Sequence, residues 1–457
     1  MRKCENRRGA ALLATGLSLI AIIPAIGLAI DGATLYAVRV RLSQAVDASV
    51  LAGARSLSSG ADIGSQRANA TAMATKYFYA NFPAGFFGTS NGTLSVSVTQ
   101  NDVTHVRSVA VTASVDAPLY FMSILNQPSS AVQLSGTASR RDVNVMLVLD
   151  RSGSMVRGGA IGPLRTAATT FVEQFANGRD KVGLMTFGGG TYLAYHPSLN
   201  FKSDTPSVET LIGQVVGGGA TNTAQALWLA YQELVNLNQP GALNAIVLFT
   251  DGRPTAFTAD FQPRLAVRSG CDKSTPKVGY LTYFVDGSGN PSSPAGLASA
   301  FPSSITDVSE SVAAPYSAGC AYAQNPTSSF ANVALDVASM PNQDWYGNST
   351  DNGYRAVDLT QISQPSQIEA AATNAADSSA SRIRADATLQ PIILTIGLGG
   401  TTAYPPDSAF MQRISNDPAS ASYIATEQAG LYIFSPTTAQ LQTAFLRIAS
   451  EILRLAQ

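Results

Sequence analysis

Histidine is almost absent from this sequence. Only His105 and His196 occur in 457 residues, and neither sits in a nucleophile or zinc motif. That removes the usual base for a serine or cysteine nucleophile and the commonest zinc ligand, so the chain reads as a non-enzyme. Charge is also sparse. Asp, Glu, Lys and Arg make up 13% of the residues, and 29 basic side chains nearly cancel 30 acidic ones. No basic field exists to grip phosphates, which argues against nucleic acid as a partner. Cysteine is limited to Cys4, Cys271 and Cys320. Cys4 precedes the apolar stretch described next. Cys271 and Cys320 lie far beyond it, and in an oxidising compartment they are a candidate disulfide. Two free loop thiols are the equal alternative, because sequence cannot place two Cα atoms within bonding range.

What the chain does have at its start is a long apolar run. Arg2, Lys3, Arg7 and Arg8 come first, followed by an uncharged stretch from Gly9 to Ile30 that ends at Asp31. A helix needs about 20 such residues to cross the hydrocarbon core. The positive cluster on the N-terminal flank keeps that end in the cytoplasm and sends the rest across. A cleaved signal peptide is the competing reading, but its apolar part would be about 7–15 residues followed by an A-x-A-like site. Here the run is longer, and a helical stripe of Leu35, Val38, Leu42, Ala45, Val46, Ser49, Val50 and Ala52 continues from it. Pro24 lies inside the run, where a membrane span tolerates it. A retained, single-pass anchor is the favoured reading.

The features Arg7-Arg8-Gly9, Pro24, Asp31-Gly32, Leu35-Tyr36, Arg39, Arg41 and the run Ala45-Val46-Asp47-Ala48 through Ala52-Gly53-Ala54 resemble the N-terminus of the TadE/TadG-like pilus-assembly family. The resemblance implies a bacterial inner-membrane protein with its main domain in the periplasm or otherwise outside the cytoplasm, working among pilus-assembly components. Residues Ala10 to Ala14 contain no acid, so the prepilin-type cleavage of some members is not expected.

Residues 65–80 suit a helix, broken by Asn81-Phe82-Pro83-Ala84-Gly85. From Thr93 to Val115 apolar and polar residues alternate, as in a hairpin turning near Asn101-Asp102, and Gln133 to Arg140 suits a further strand.

The strongest signal begins at Val143. Val143 to Leu149 is a nearly continuous β-prone run, as in a strand buried on both faces, and it ends in Asp150-Arg151-Ser152-Gly153-Ser154. Open α/β sheets place ligands at such carboxyl ends. Hydroxyl and carboxylate oxygens with few formal charges suit a hard cation such as Mg²⁺. Ser152 and Ser154 offer hydroxyls, Asp150 a carboxylate, and Gly153 a tight turn between them. Gly217-Gly218-Gly219-Ala220-Thr221 then opens a helix and supplies a third hydroxyl. A second buried strand, Ala245 to Thr250, delivers Asp251 to the same rim.

VNVMLVLDRSGSM, GGGATNTAQAL and AIVLFTDGRPT, in that order, resemble the three parts of the metal-ion-dependent adhesion site of a von Willebrand factor A domain. The resemblance implies a doubly wound, mostly parallel α/β sheet. It also implies Asp150, Ser152, Ser154, Thr221 and Asp251 as ligands of Mg²⁺, or of Mn²⁺ or Ca²⁺ in its place. One coordination position would be left for an Asp or Glu carboxylate of a protein partner. Asp180 to Phe187 fits the next strand, Pro391 to Gly399 a late one, and Pro436 to Leu455 a closing amphipathic helix.

The chain thus reads as a tail (1–8), a transmembrane helix (9–30), a helical extension (31–64), a β-rich spacer (65–140) and an A domain (141–457). A large insertion over 253–359, rich in Ser, Pro, Gly, Asn and aromatics, is expected to be irregular and to shape or cover the ligand surface. A helix from Ser366 is expected behind it, with Ser366 and Glu369 spaced as a capping box. The alternatives are a pilin-like or scaffold subunit without a working metal site and, less in keeping with the residues, a hydrolase, for which Ser152 and Ser154 lack a base.

Overall fold

The computed structural model describes residues 5–57, 63–101, 103–261, 277–285, 291–298, 302–308, 331–332, 339–362, 364–399 and 406–456. Cys4, Cys271 and Cys320 lie outside them, and so does any pairing of the last two. The chain forms two compact units. One contains residues up to 102 together with 106–140, and the other contains 103–105 and 141–456.

In the first unit, helix α1 (Glu5–Ser56) continues unbroken through Pro24. Its first half is apolar and, over residues 11–30, largely exposed, and the helix is long and apolar enough to cross a membrane. Its second half carries the buried stripe Val38, Leu42, Ala45, Val46 and Val50. Helix α2 (Ile63–Asn81) adds Ala70, Ala74 and Phe78. Both helices lie on an antiparallel sheet of β1 (Ser90–Asn101), β2 (Val106–Pro118) and β3 (Ser129–Arg141), with β2 in the middle. Strand alternation turns Val109, Val111, Ala113, Val115 and Ala117 inward. Close approach requires glycine at two points: a Cβ on Gly136 would come within 2.9 Å of Val46, and one on Gly53 within 2.9 Å of Val109. The helical extension and the β-rich segment therefore share one core.

The second unit is a mixed α/β fold around a six-stranded sheet, as expected. Its strands are β4 (Val143–Asp150), β5 (Lys181–Phe187), β6 (Thr191–Ser198), β7 (Leu243–Thr250), β12 (Ile392–Leu398) and β13 (Leu431–Ser435). They lie in the order β13-β12-β7-β4-β5-β6. All neighbours are parallel except β5 and β6. Every residue of β4, β7 and β12 is buried. Period two sends Met146, Val148, Ile246 and Leu248 to one face and Val145, Leu147, Val247 and Phe249 to the other. Helices α4 (Ile161–Glu173), α5 (Val208–Gln214) and α9 (Leu441–Leu455) cover the second face. Helices α6 (Thr223–Leu237), α7 (Pro365–Arg384) and α8 (Ser408–Ser415) cover the first. A short helix, α3 (Gly153–Arg157), follows β4. The chain leaves β4 toward β5 on one side and reaches β7 on the other, so the carboxyl ends of β4 and β7 flank the switch point of the sheet.

Two expectations need correction. The insertion is not irregular throughout. Within it β8 (Ala256–Phe261), β9 (Lys277–Val285), β10 (Pro291–Ala298) and β11 (Ala331–Asn332) form a second sheet in the order β11-β10-β9-β8. Phe257, Phe261, Leu281 and Tyr283 join the core on the α6 and α7 face. Glycine and serine content hid strands that β-branched and aromatic positions can build. The capping box at Ser366 is not formed either. Helix α7 begins at Pro365, where a missing N–H costs nothing, and Gln364 is its N-cap residue with no side-chain cap. Glu369 instead pairs with Arg253 at 3.2 Å and accepts a hydrogen bond from the Tyr283 hydroxyl at 3.2 Å.

Candidate metal centre

Four of the five expected ligands meet in one hydrogen-bonded cluster at the carboxyl ends of β4 and β7. The Ser152 and Ser154 hydroxyls are 2.9 Å apart, and Ser154 donates to Asp251 Oδ1 at 2.6 Å. Asp150 accepts from the Ser152 backbone N–H at 2.7 Å through Oδ1 and from the Thr250 hydroxyl at 2.5 Å through Oδ2. Asp150 and Asp251 are both fully buried. Thr221, also buried, stands on the adjoining loop. Its backbone is tied to Thr255, whose hydroxyl accepts from Thr221 N–H at 2.9 Å and whose own N–H donates to Thr221 O at 2.9 Å.

Main-chain hydrogen bonds hold the loops to one another. Gly153 N–H donates to Gly219 O at 2.9 Å, and Gly218 N–H donates to Arg151 O at 2.7 Å. Gly219 has φ +88°, a left-handed conformation that favours glycine. A Cβ on Gly188 would come within 2.7 Å of Gly218 O. Asn222 caps α6 by accepting from Gln225 N–H, and its amide donates to Gly189 O at 3.0 Å and Thr258 Oγ1 at 2.8 Å.

The electrostatics of the cluster are those of two acids forced together. Burial first, and the neighbouring Asp251 carboxylate with it, push the Asp150 carboxyl up to about 7, against the partial opposition of the hydrogen bonds from Thr250 and Ser152. Among the described residues no three His, Cys, Asp or Glu side chains gather into a metal-binding group. The donors here are two acids and hydroxyls, all hard oxygens. Such a set fits Mg²⁺, Mn²⁺ or Ca²⁺, whose charge would offset the carboxylate repulsion.

Three participants were not legible beforehand. Thr250, by its sequence no more than the end of a strand, fixes the Asp150 carboxylate. The register that pairs Leu149 with Phe249 puts the next residues, Asp150 and Thr250, side by side. Arg151 is 2% exposed and reaches away from the cluster, donating to Ile305 O at 3.1 Å and Asp307 O at 2.6 Å. Through it the insertion segment 302–308 lies on the first loop. Val308 closes on the second, where a Cβ on Gly218 would meet it at 2.9 Å. Beyond Asp251, Arg253 opens onto a cavity of about 420 Å³ whose charges are already matched, Arg253 with Glu369 and Arg355 with Asp407.

Comparison with known proteins gives two family matches. Residues 145–253 match the von Willebrand factor type A domain, and residues 9–56 match the Flp pilus-assembly TadE/G-like family. The chain therefore carries a von Willebrand factor A domain behind a TadE/G-like N-terminal region. The calcium-activated chloride channel regulator 3A-1 of Mus musculus is 30% identical over 125 residues, which is 27% of this chain and 14% of that protein. The uncharacterized protein YfbK of Escherichia coli strain K12 is 28% identical over 109 residues, 24% of this chain and 18% of that protein. The chain thus spans less than a fifth of the length of these curated relatives. Among solved structures, the vWF domain of the type V pili tip protein Mfa5 from Porphyromonas gingivalis is 16% identical. The match covers 70% of this chain and 98% of that one, with a TM-score of 0.37. The von Willebrand factor type A protein from Catenulispora acidiphila is 10% identical over 79% of this chain and 50% of that one, with a TM-score of 0.35. The fold rests on the sheet order described above and not on these likenesses.

Proposed function

We propose that this protein is a membrane-anchored, extracytoplasmic adhesion or pilus-assembly protein that grips a carboxylate of a protein partner through a divalent cation. The observation that carries the reading is the convergence of Asp150, Ser152, Ser154 and Asp251, from strands about 100 residues apart in sequence, into one buried oxygen cluster. In this reading Asp150, Ser152, Ser154, Thr221 and Asp251 hold the ion. The ion supplies a Lewis-acidic position for an Asp or Glu side chain of the partner. Thr250 keeps the Asp150 carboxylate in place, the glycine loops let the backbone close in, and segment 302–308 borders the surface a partner would meet. The family match over 9–56 supports a pilus-assembly setting, and the long apolar helix supports anchoring in a bacterial inner membrane with the N-terminus inside.

A scaffold that keeps the motif without using the ion is the second reading. It is favoured by the hydrogen bonds that the Ser152, Ser154 and Asp251 side chains already make among themselves. Calorimetry of the full chain in lipid nanodiscs with Mg²⁺ and Mn²⁺, beside an Asp150→Ala/Ser152→Ala variant, separates the two. Heat of binding in the parent and none in the variant supports the metal-dependent reading. No binding in either folded protein leaves the scaffold.

A further inference from the structure

The buried stripe of α1 does not stop where the apolar run ends. It continues back from Val38 through Thr34 and Asp31 to Gly27, at helical spacings of four, three and four. Gly27 is buried because the Phe121 ring lies on it, and a Cβ there would come within 2.2 Å of that ring. At 1.5 Å per residue, Gly27 sits about 4.5 Å inside the apolar end at Ile30. The β2–β3 connection therefore reaches back alongside the apolar half of the helix.

The connection is held there by a built contact. Asp31, 3% exposed, accepts backbone hydrogen bonds from Tyr120 at 2.6 Å, Phe121 at 3.1 Å and Met122 at 2.9 Å. That carboxylate satisfies the amides opening the 3-10 turn Met122–Leu125. The large side chains exposed on and beside this turn are Ile124, 77% exposed, Leu125, 63%, and Tyr120, 59%, and the exposed polar ones, Ser123, Asn126 and Gln127, are uncharged. Phe87 adds another exposed ring on the neighbouring turn, and the adjacent Gly88 lies close to Tyr120, since a Cβ there would come within 3.3 Å of Pro118 and 3.7 Å of the Tyr120 hydroxyl. No charged residue occurs between Ala117 and Pro128, or between Asn81 and Asn101. Uncharged apolar side chains with Tyr among them, arranged beside the mouth of a membrane span, have the composition of an interfacial belt and not of a water-exposed loop.

We propose that the turn around Tyr120–Leu125, with Phe87 beside it, is a second membrane contact, a collar that sinks into the lipid interface around the exit of α1. The proposal rests on the reading of α1 as a membrane span. Asp31 would then act as the pin that holds the collar at the depth of Gly27. A bilayer is favoured over a second copy of the chain as occupant because the patch is continuous with the apolar helix surface.

Tryptophan quenching by brominated phospholipid tests this on the full chain in nanodiscs. The native Trp228 and Trp345 supply a constant background measured in the parent. Leu19→Trp reports on the span, Ile124→Trp on the collar, and Thr99→Trp on the far end of β1. The expected result is strong quenching of the Leu19→Trp signal and loss of roughly half the added Ile124→Trp emission, as for a ring buried about 5–10 Å into the interface. Thr99→Trp should stay unquenched. Quenching of Leu19→Trp with Ile124→Trp as unquenched as Thr99→Trp overturns the collar and leaves the anchor standing. A blue-shifted but unquenched Ile124→Trp also overturns it, with protein and not lipid covering the patch. No quenching at Leu19→Trp removes anchor and collar together.

Discussion

Asp150 shows how much of the candidate site depends on single atoms. Its carboxylate is buried beside another acid, and two donors hold it, the Ser152 amide and the Thr250 hydroxyl. Thr250→Val removes one donor and keeps the shape. The expected outcome is a fall of about 10–100-fold in Mg²⁺ affinity by calorimetry, the range typical of outer partners of metal ligands, with the fold retained. Arg151 makes a different prediction. Its guanidinium is the tether between the first loop and residues 305 and 307. Arg151→Ala should speed amide hydrogen exchange at Asp307 and its neighbours while β4 stays protected. Unchanged exchange over 302–308 would mean that the segment holds its place without the tether. Asp150, Ser152, Ser154 and Asp251 were legible as candidates because their residue types and order form a motif. Thr250 and Arg151 were not, because their roles follow from a strand register and from a segment about 150 residues away.

Among the elements, the central strands carry the fold. Ile246 of β7 is completely buried in the cluster formed with α6, α7 and α8. Ile246→Ala should cost about 2–5 kcal/mol by chemical denaturation, from lost burial and the cavity left behind. Ile424→Ala, at a site 42% exposed, should stay within about 0.5 kcal/mol. The start of α7 gives a sharper contrast. With Pro365 leading the helix, Ser366→Ala should change stability by less than about 0.5 kcal/mol, whereas loss of a true N-cap would cost about 1 kcal/mol. The buried strands could be read from the chain because a strand covered on both faces needs an unbroken apolar run. The strands β8 to β11 could not, since much of their sequence resembles loop and their pairing is settled between segments far apart in the chain.

At the scale of the whole molecule, the two units should answer differently to the cation. Binding to the native second unit stabilises it by mass action, about 2.7 kcal/mol at a hundredfold excess over the dissociation constant. Calorimetric melting of the full chain with added Mg²⁺ should therefore raise the transition of the unit containing 141–456 and leave that of the unit built on α1, α2 and β1 to β3 in place. In the Asp150→Ala/Ser152→Ala variant neither should move. A shift of both transitions in the variant as well would assign the effect to general salt and not to the site.

The sequence by itself determined the apolar helix and the doubly wound class of the second unit, and it marked Asp150, Ser152, Ser154, Thr221 and Asp251 as candidate oxygen donors. Each of these is written in local order: an uncharged run long enough to span a bilayer, apolar strands ending in polar loops, and a motif whose parts keep their succession. Only the tertiary structure decided which residues hold the Asp150 carboxylate and that segment 302–308 lies on the two neighbouring loops. It also decided that the β2–β3 turn reaches back to Gly27. These depend on register and on close approach between residues scores of positions apart, and no local pattern of residue types carries that information.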